Sequence, residues 1–199
     1  MRSLDPIRTA LARAPARTLS GKTRAAVAVV LLEQPAGAEL LLIERAERAG
    51  DPWSGHMAFP GGRVNPKDRD VRAAAERETR EEVGLDLAGA ELLGRLDDLQ
   101  GGNALRGPLV LSAFVYQLTA RPPLVAQNDE VQATLWVPVG MFFDPARHVG
   151  HAWGGLKMPG VLVGEPGRHI VWGLTYRLLD SLFTAAGTPL PTQRDGSRS

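Results

Sequence analysis

The chain has 199 residues, 44% of them apolar and 23% charged, with a formal net charge of +1 and no cysteine. Such a length supports one sizeable core, and near-neutral charge gives no bulk electrostatic case for nucleic-acid binding. No run approaches the roughly 20 apolar residues of a membrane span, and disulfides, thiolate metal sites and a cysteine nucleophile are excluded. The expected compartment is the cytoplasm and the expected state a monomer or homodimer.

Met1–Ser20 is rich in Arg and Ala and nearly free of acid. A transit peptide shares this composition, but an N-terminal helix over Leu4–Arg13, capped by Ser3 or Asp5, is the preferred reading of an extension covering 1–22. One domain is expected over 23–187. Thr23–Leu32 (TRAAVAVVLL) reads as a buried strand, Gln34–Ala38 as a turn, and Glu39–Arg45 as a second strand that forms a hairpin with the first. Ala46–Ser54 reads as a loop. His56–Phe59 reads as a short strand that stops at Pro60-Gly61-Gly62, and Arg63–Asp70 as a polar loop. Val71–Val83 is the clearest helix, closed by Gly84 in the position of a C-cap glycine.

Ala90–Leu96 and Leu109–Leu118 are expected strands, separated by a glycine-rich loop at Gly101–Gly107. Pro122–Asp129 is a loop, Val131–Val137 a strand and Val139–Phe143 a helical turn. Glycines through His148–Gly167 suggest hairpins. Ile170–Trp172 leads into a last helix, Leu174–Ala186, and Thr188–Ser199 is an expected disordered tail. Strands interleaved with helices predict an α/β or α+β layered structure on a mixed sheet.

The helix over Val71–Val83 carries Glu78, Glu81 and Glu82 within an arc of roughly 100°. Ala75, Thr79 and Val83 form the row expected to face the core. Glu78 and Glu82 repel at i,i+4, at a cost of about 0.2–0.5 kcal/mol. Glu81 and Glu82 also stand at the negative end of the helix dipole, at roughly 0.3–1 kcal/mol for each exposed charge. Arg77 offsets part of this through Glu81. The cluster is either a solvated charged face or a site for a hard divalent cation held by carboxylate oxygens. Pro60-Gly61-Gly62 upstream is either a plain turn or a place where backbone meets a ligand closely.

At these residues the chain resembles the Nudix hydrolase family. Arg77, Glu78, Glu81, Glu82, Gly84 and Leu85 match the second half of its signature in register. Thr79 stands where a bulky apolar residue is usual. Gly62 opens the first half, but Asp68 replaces a glutamate there and one extra residue precedes Arg77. Outside the signature, Leu41–Arg45, Gly55–Gly62, Leu96-Asp97-Asp98 and Ile170–Thr175 are similar to the coenzyme A pyrophosphatase branch. Pro52-Trp53 departs from it, standing near where that branch has a second arginine.

The resemblance implies an α/β/α sandwich with a mixed central sheet. It also implies Mg²⁺- or Mn²⁺-dependent cleavage of a pyrophosphate in a nucleoside-diphosphate-linked small molecule, with no nucleic-acid or membrane partner. For coenzyme A the products would be adenosine 3′,5′-bisphosphate and 4′-phosphopantetheine. Glu78, Glu81 and Glu82, with the Gly61 carbonyl, would be the metal ligands, and Arg77 would orient the carboxylates. Glu82 is the first candidate for general base; Glu130 is either a second candidate or a solvated loop acid. Arg45 contacts a phosphate or is a surface cation, Gly62 lies on the substrate side, and Trp53 lines a pocket or merely packs. The four histidines show no zinc-like spacing, and Trp136, Trp153 and Trp172 read as packing residues.

The rival readings are a Nudix hydrolase of ADP-ribose, a nucleotide sugar, a dinucleotide or a nucleoside triphosphate, and a binding module of the same fold without turnover. An RNA-binding role through arginines is disfavoured by the charge.

Overall fold

Strand β1 (Arg24–Leu32) is apolar on both faces because it runs through the middle of the molecule. Along its length it pairs in parallel with β7 (Gly107–Leu118), from Arg24↔Val110 to Leu32↔Leu118. Its other edge is divided. Leu31 and Leu32 pair with β2 (Glu39–Arg45), whereas Ala25–Val27 pair with a short strand β4 (Gly61–Arg63). Between them, β3 (Met57–Ala58) pairs with Ile43 and Glu44 of β2. β5 (Glu91–Arg95) and β6 (Leu99–Asn103) pair antiparallel with β7, and β8 (Val131–Pro138) pairs antiparallel with β2. Among the described residues the result is an eight-stranded mixed sheet. The computed structural model describes residues 3–13, 15–48, 53–103, 107–125 and 128–191.

Side-chain alternation along β1 sorts the core into two layers. Ala26, Ala28, Val30 and Leu32 join Leu41, Ile43, Phe114 and Tyr116 under helix α2 (Val71–Val83), which contributes Ala74, Ala75 and Val83. Val29, Leu31, Leu40 and Leu42 face the other way. There they meet Leu4, just before α1 (Asp5–Arg13), Ile7 of α1, and Leu178, Leu179, Leu182 and Phe183 of α3 (Gly173–Ala185). A three-stranded sheet, β9 (His148–Trp153), β10 (Leu156–Leu162) and β11 (Ile170–Trp172), turns Val161 and Val171 into this second layer. The expected α/β/α sandwich is therefore present. No described helix is long and apolar enough to cross a membrane.

Several expectations are corrected. Pro60-Gly61-Gly62 is not a simple turn: Gly61–Arg63 is a strand. The expected strand over His56–Phe59 is confined to Met57–Ala58. Part of the expected glycine loop is strand β6, whose Gly101 and Gly102 pair with Leu109 and Pro108. Leu190, within the stretch expected as a tail, is buried, and the Thr188 amide donates to the Phe183 carbonyl at 2.8 Å. The tail from 192 onward, Gly50 and Pro52 of the loop after β2, residues 104–106 of the glycine loop, and residues 126–127 lie outside the described residues.

The N-terminal extension is bound to the sheet rather than appended to it. The Asp5 amide donates to Ser3 Oγ at 3.1 Å, so Ser3 serves the start of α1. The Leu96-Asp97-Asp98 turn grips the chain that follows: Arg17 N donates to Asp97 Oδ1 at 2.7 Å and Leu19 N to Asp98 Oδ2 at 2.8 Å. Burial alone would raise the Asp98 carboxyl, but the Leu19 amide, the Ser112 hydroxyl and Arg95 overcome it and hold the value low.

Candidate active site

Helix α2 forms where expected because both ends are closed by local chemistry. Asp70 Oδ1 accepts from the Ala73 amide at 2.8 Å, which satisfies a donor otherwise orphaned in the first turn. Gly84, at φ 70°, adopts the left-handed conformation that ends the helix, and its N–H reaches the Arg80 carbonyl at 3.0 Å. Ala75, Thr79 and Val83 are fully buried. The polar member of that row, Thr79, donates its hydroxyl to the Ala75 carbonyl at 2.7 Å. The core-facing row is thus the one expected, and it turns the neighbouring glutamates toward β4.

The three carboxylates differ in environment. Glu82 is 1% exposed, and its Oε2 accepts from the Gly61 amide at 2.8 Å. Burial pushes its carboxyl up to about 8 against that hydrogen bond; the charge of Glu78 adds to the rise, Arg45 opposes it and Glu130 adds to it. Glu78 is half-buried and is also raised, first by burial, with Arg77 pulling the other way. Glu81 is half exposed at its side chain. Two acids raised by burial form a site that lacks positive charge.

Arg77 supplies part of that charge. Its Nη1 donates to Glu78 Oε1 at 2.9 Å and to Glu81 Oε2 at 2.8 Å. Its Nε and Nη2 grip the two oxygens of Asp68 at 2.8 and 3.1 Å, and Nη2 reaches the Arg63 carbonyl at 3.2 Å. Asp68 is held below its usual value, chiefly by Arg77. The shorter acid and the extra loop residue therefore deliver a two-oxygen clamp on the arginine. Nothing in the spacing around Asp68 disclosed this pairing.

Glycine is required at both positions before the loop. A Cβ on Gly62 would lie 2.5–2.7 Å from the Glu78 carboxylate atoms. Gly61 has φ 151°, and a Cβ there would lie 2.6 Å from Val27 Cα. The carboxylates consequently press directly against bare backbone.

Of the other expected residues, Arg45 and Glu130 come to the site: the charges of both act on Glu82. Glu130 also meets Arg48 Nη1 at 3.1 Å, and its carbonyl accepts from the Ala46 amide at 2.8 Å. Trp53 stands in the turn before β3, its carbonyl accepting from the His56 amide at 3.2 Å. The sequence reading missed Glu44, which is buried and held by Arg168 Nε and Nη2 at 2.6 and 2.8 Å. This pair ties β2 to the turn before β11. An acid directly after the apolar run Leu40–Ile43, still within the same strand, was the available signal.

Among the described residues, no three acidic or histidine side chains converge as a preformed cation shell. The donor set nevertheless suits one. Glu78 and Glu81 already share a cationic group, the Arg77 guanidinium, and Glu82 lies against the same strand. Hard carboxylate oxygens are the ligands that Mg²⁺ and Mn²⁺ favour.

The NUDIX domain model matches residues 22–154, more than half of the chain. The chain is 34% identical over 173 residues to the mitochondrial coenzyme A diphosphatase NUDT8 of Mus musculus, covering 84% of this chain and 80% of that protein. It is 43% identical over 104 residues to an uncharacterized protein of Schizosaccharomyces pombe, covering 50% of this chain and spanning only 32% of that relative. Among solved structures, a MutT/nudix family protein from Enterococcus faecalis superposes with a TM-score of 0.58 at 20% identity, covering 92% of this chain and 68% of that one. On the family match over residues 22–154 and the likeness to that diphosphatase over most of both chains, the chain belongs to the Nudix hydrolase family of pyrophosphohydrolases.

Proposed function

We propose that this chain hydrolyses the pyrophosphate bridge of coenzyme A or a derivative, yielding adenosine 3′,5′-bisphosphate and 4′-phosphopantetheine. The carrying observation is the site itself: the buried Glu82 and half-buried Glu78 set against glycine backbone, with Glu81 joined to Glu78 through Arg77, in a chain similar over most of its length to a protein named as a coenzyme A diphosphatase. The stretches Gly55–Gly62 and Ile170–Thr175 support the same branch.

Glu78, Glu81 and Glu82, with the Gly61 carbonyl, would hold Mg²⁺ or Mn²⁺, which supplies charge neutralisation at phosphoryl oxygens and acidifies a bound water. Water attacks one phosphorus, the P–O bond of the bridge breaks, and the departing phosphate carries the electron pair. Glu82 takes the water's proton; Glu130, the second candidate for this role, acts on it through its charge. Arg77, fixed by Asp68, keeps Glu78 and Glu81 in register and touches no substrate. Arg45 offers positive charge to the diphosphate, Gly62 leaves room for it, and Trp53 lines the approach. The partner is a small nucleotide, and neither nucleic acid nor membrane is invoked.

A panel of coenzyme A, ADP-ribose, a nucleotide sugar, a dinucleotide and a nucleoside triphosphate, assayed with Mn²⁺ for phosphate-ester products, tests the substrate. Coenzyme A left intact while ADP-ribose is cleaved overturns the choice of substrate. Equal background rates for the unmodified chain and Glu81→Gln on every substrate overturn the enzymatic reading in favour of a binding module.

A further inference from the structure

Four aromatic rings gather on the outward face of the small sheet. Trp172 of β11 is the hub: His151 of β9 stacks on it at 4.4 Å between centroids and 29° between planes. Trp153 lies 4.8 Å from it and His56 lies 4.7 Å from it, edge-on. Trp153 and His56 are themselves 5.3 Å apart. The opposite face of the same sheet packs Val161 and Val171 into the core, so these rings do not serve that core. None of the four is buried like a core aromatic, although partial burial lowers the His151 pKa. Trp153 is 38% exposed, at the tip of the hairpin. A contiguous aromatic patch at the surface is a common mark of a ligand or partner site.

The cluster adjoins the carboxylate site through backbone pairing. Arg45 N donates to the His56 carbonyl, and Gly55 N donates to the Arg45 carbonyl, both at 3.0 Å. Residues opposed in this way lie about 5 Å apart. Arg45 in turn acts on Glu82. Gly55, beside His56, has open space where a side chain would project. One residue pair therefore separates the cation next to the carboxylates from the first ring, and in a nucleotide one ribose separates phosphate from base.

We propose that His56, His151, Trp153 and Trp172 form the stacking platform for the heteroaromatic base of the nucleoside whose diphosphate enters the carboxylate site. This assignment rests on the reading above that the site receives a nucleoside diphosphate, and it adds the subsite that reads the nucleoside end. Stacking of a base on aromatic side chains is tolerant of sequence and needs a π-face on each partner. Histidine and tryptophan rings in contact provide one.

Calorimetric titration of the full chain with AMP and with ribose 5-phosphate, in EDTA, isolates the base, since the second carries a hydroxyl at the carbon where AMP carries adenine. The chain should bind AMP about 5- to 100-fold more tightly than ribose 5-phosphate. The preference should collapse in Trp153→Ala and in His151→Ala and return in Trp153→Phe. AMP bound no more tightly than ribose 5-phosphate, including binding of neither, overturns the proposal. So does a preference that survives both alanine variants. A Trp153-dependent dimer in sedimentation, with the AMP preference unaffected by Trp153→Ala, would assign the rings to a second copy instead. Because EDTA silences turnover, this result is independent of whether coenzyme A is hydrolysed. An AMP preference without hydrolysis removes the enzymatic reading alone, and hydrolysis without the preference removes the platform alone.

Discussion

Replacing Glu82 with glutamine tests whether the buried carboxylate is kept at a cost to stability for the sake of a cation. Its carboxyl is raised from 4.5 to about 8, first by burial. At about 1.4 kcal/mol per pH unit, that rise opposes the ionised folded state by about 3–5 kcal/mol. The folded value lies above the unfolded one. The carboxyl's stabilising contribution is therefore complete below about 4.5 and disappears as pH climbs through about 8. Glutamine does not titrate and keeps an oxygen for the Gly61 amide. In EDTA, Glu82→Gln and the unmodified chain should unfold at similar urea concentrations at pH 5. At pH 8.5 the variant should be more stable by about 3–5 kcal/mol. Saturating Mn²⁺ should then stabilise the unmodified chain and not the variant, and hydrolysis should be lost in the variant. A stability gap that is the same at both pH values in EDTA would refute the reasoning, since it would mean that Glu82 does not ionise against its surroundings.

Arg77→Lys keeps the charge but loses the fork that joins Asp68 to Glu78 and Glu81. Mn²⁺ affinity by calorimetry should fall about 10- to 100-fold, the usual penalty for removing the group that orients metal ligands, and unchanged affinity would exclude that role. Gly62→Ala should weaken Mn²⁺ binding by displacing Glu78 while leaving a folded circular dichroism spectrum. Gly61→Ala, whose Cβ meets the backbone of β1, should lower the melting temperature more than Gly62→Ala does. Glu81→Gln, at a half-exposed position, should change stability by no more than about 0.5 kcal/mol while abolishing hydrolysis, which separates chemistry from folding. Divalent-ion affinity should rise with pH up to about 8 as Glu82 gives up its proton, and a flat profile between pH 6 and 8 would contradict the value set by burial.

The helix, β1 and β2 were legible because their signals are local. Val71–Val83 carries its own apolar row and C-cap glycine, and the β-branched and aliphatic run of β1 admits only a doubly covered strand. The three glutamates were legible for the same reason, since one helix presents them together. What escaped depends on pairing between distant segments. Gly61–Arg63 becomes a strand only because Ala25–Val27 offers it an edge where β2 has diverged, and Gly101-Gly102 only because β7 is long. The Asp68 clamp needs the loop's three-dimensional path. The burial of Glu44 is offset by Arg168, with His169 Nε2 also 3.6 Å from the carboxylate, both more than a hundred residues away. The aromatic cluster joins β9, β11 and the residue before β3; taken singly, the tryptophans read as packing and the histidines as surface or polar-core residues.

The anchoring of Leu4, Ile7, Arg17 and Leu19 bears on how the protein can be shortened. The family match opens at residue 22, yet Leu4 and Ile7 fill one wall of the interior beside α3, and Leu19 supplies a hydrogen to the sequestered Asp98 carboxylate. Trimming to the matched segment would bare one side of the sheet and deprive an enclosed anion of a donor. Expression boundaries that respect the physics therefore begin upstream of Leu4, and a failure of shorter versions to fold would report on that missing wall rather than on the catalytic helix.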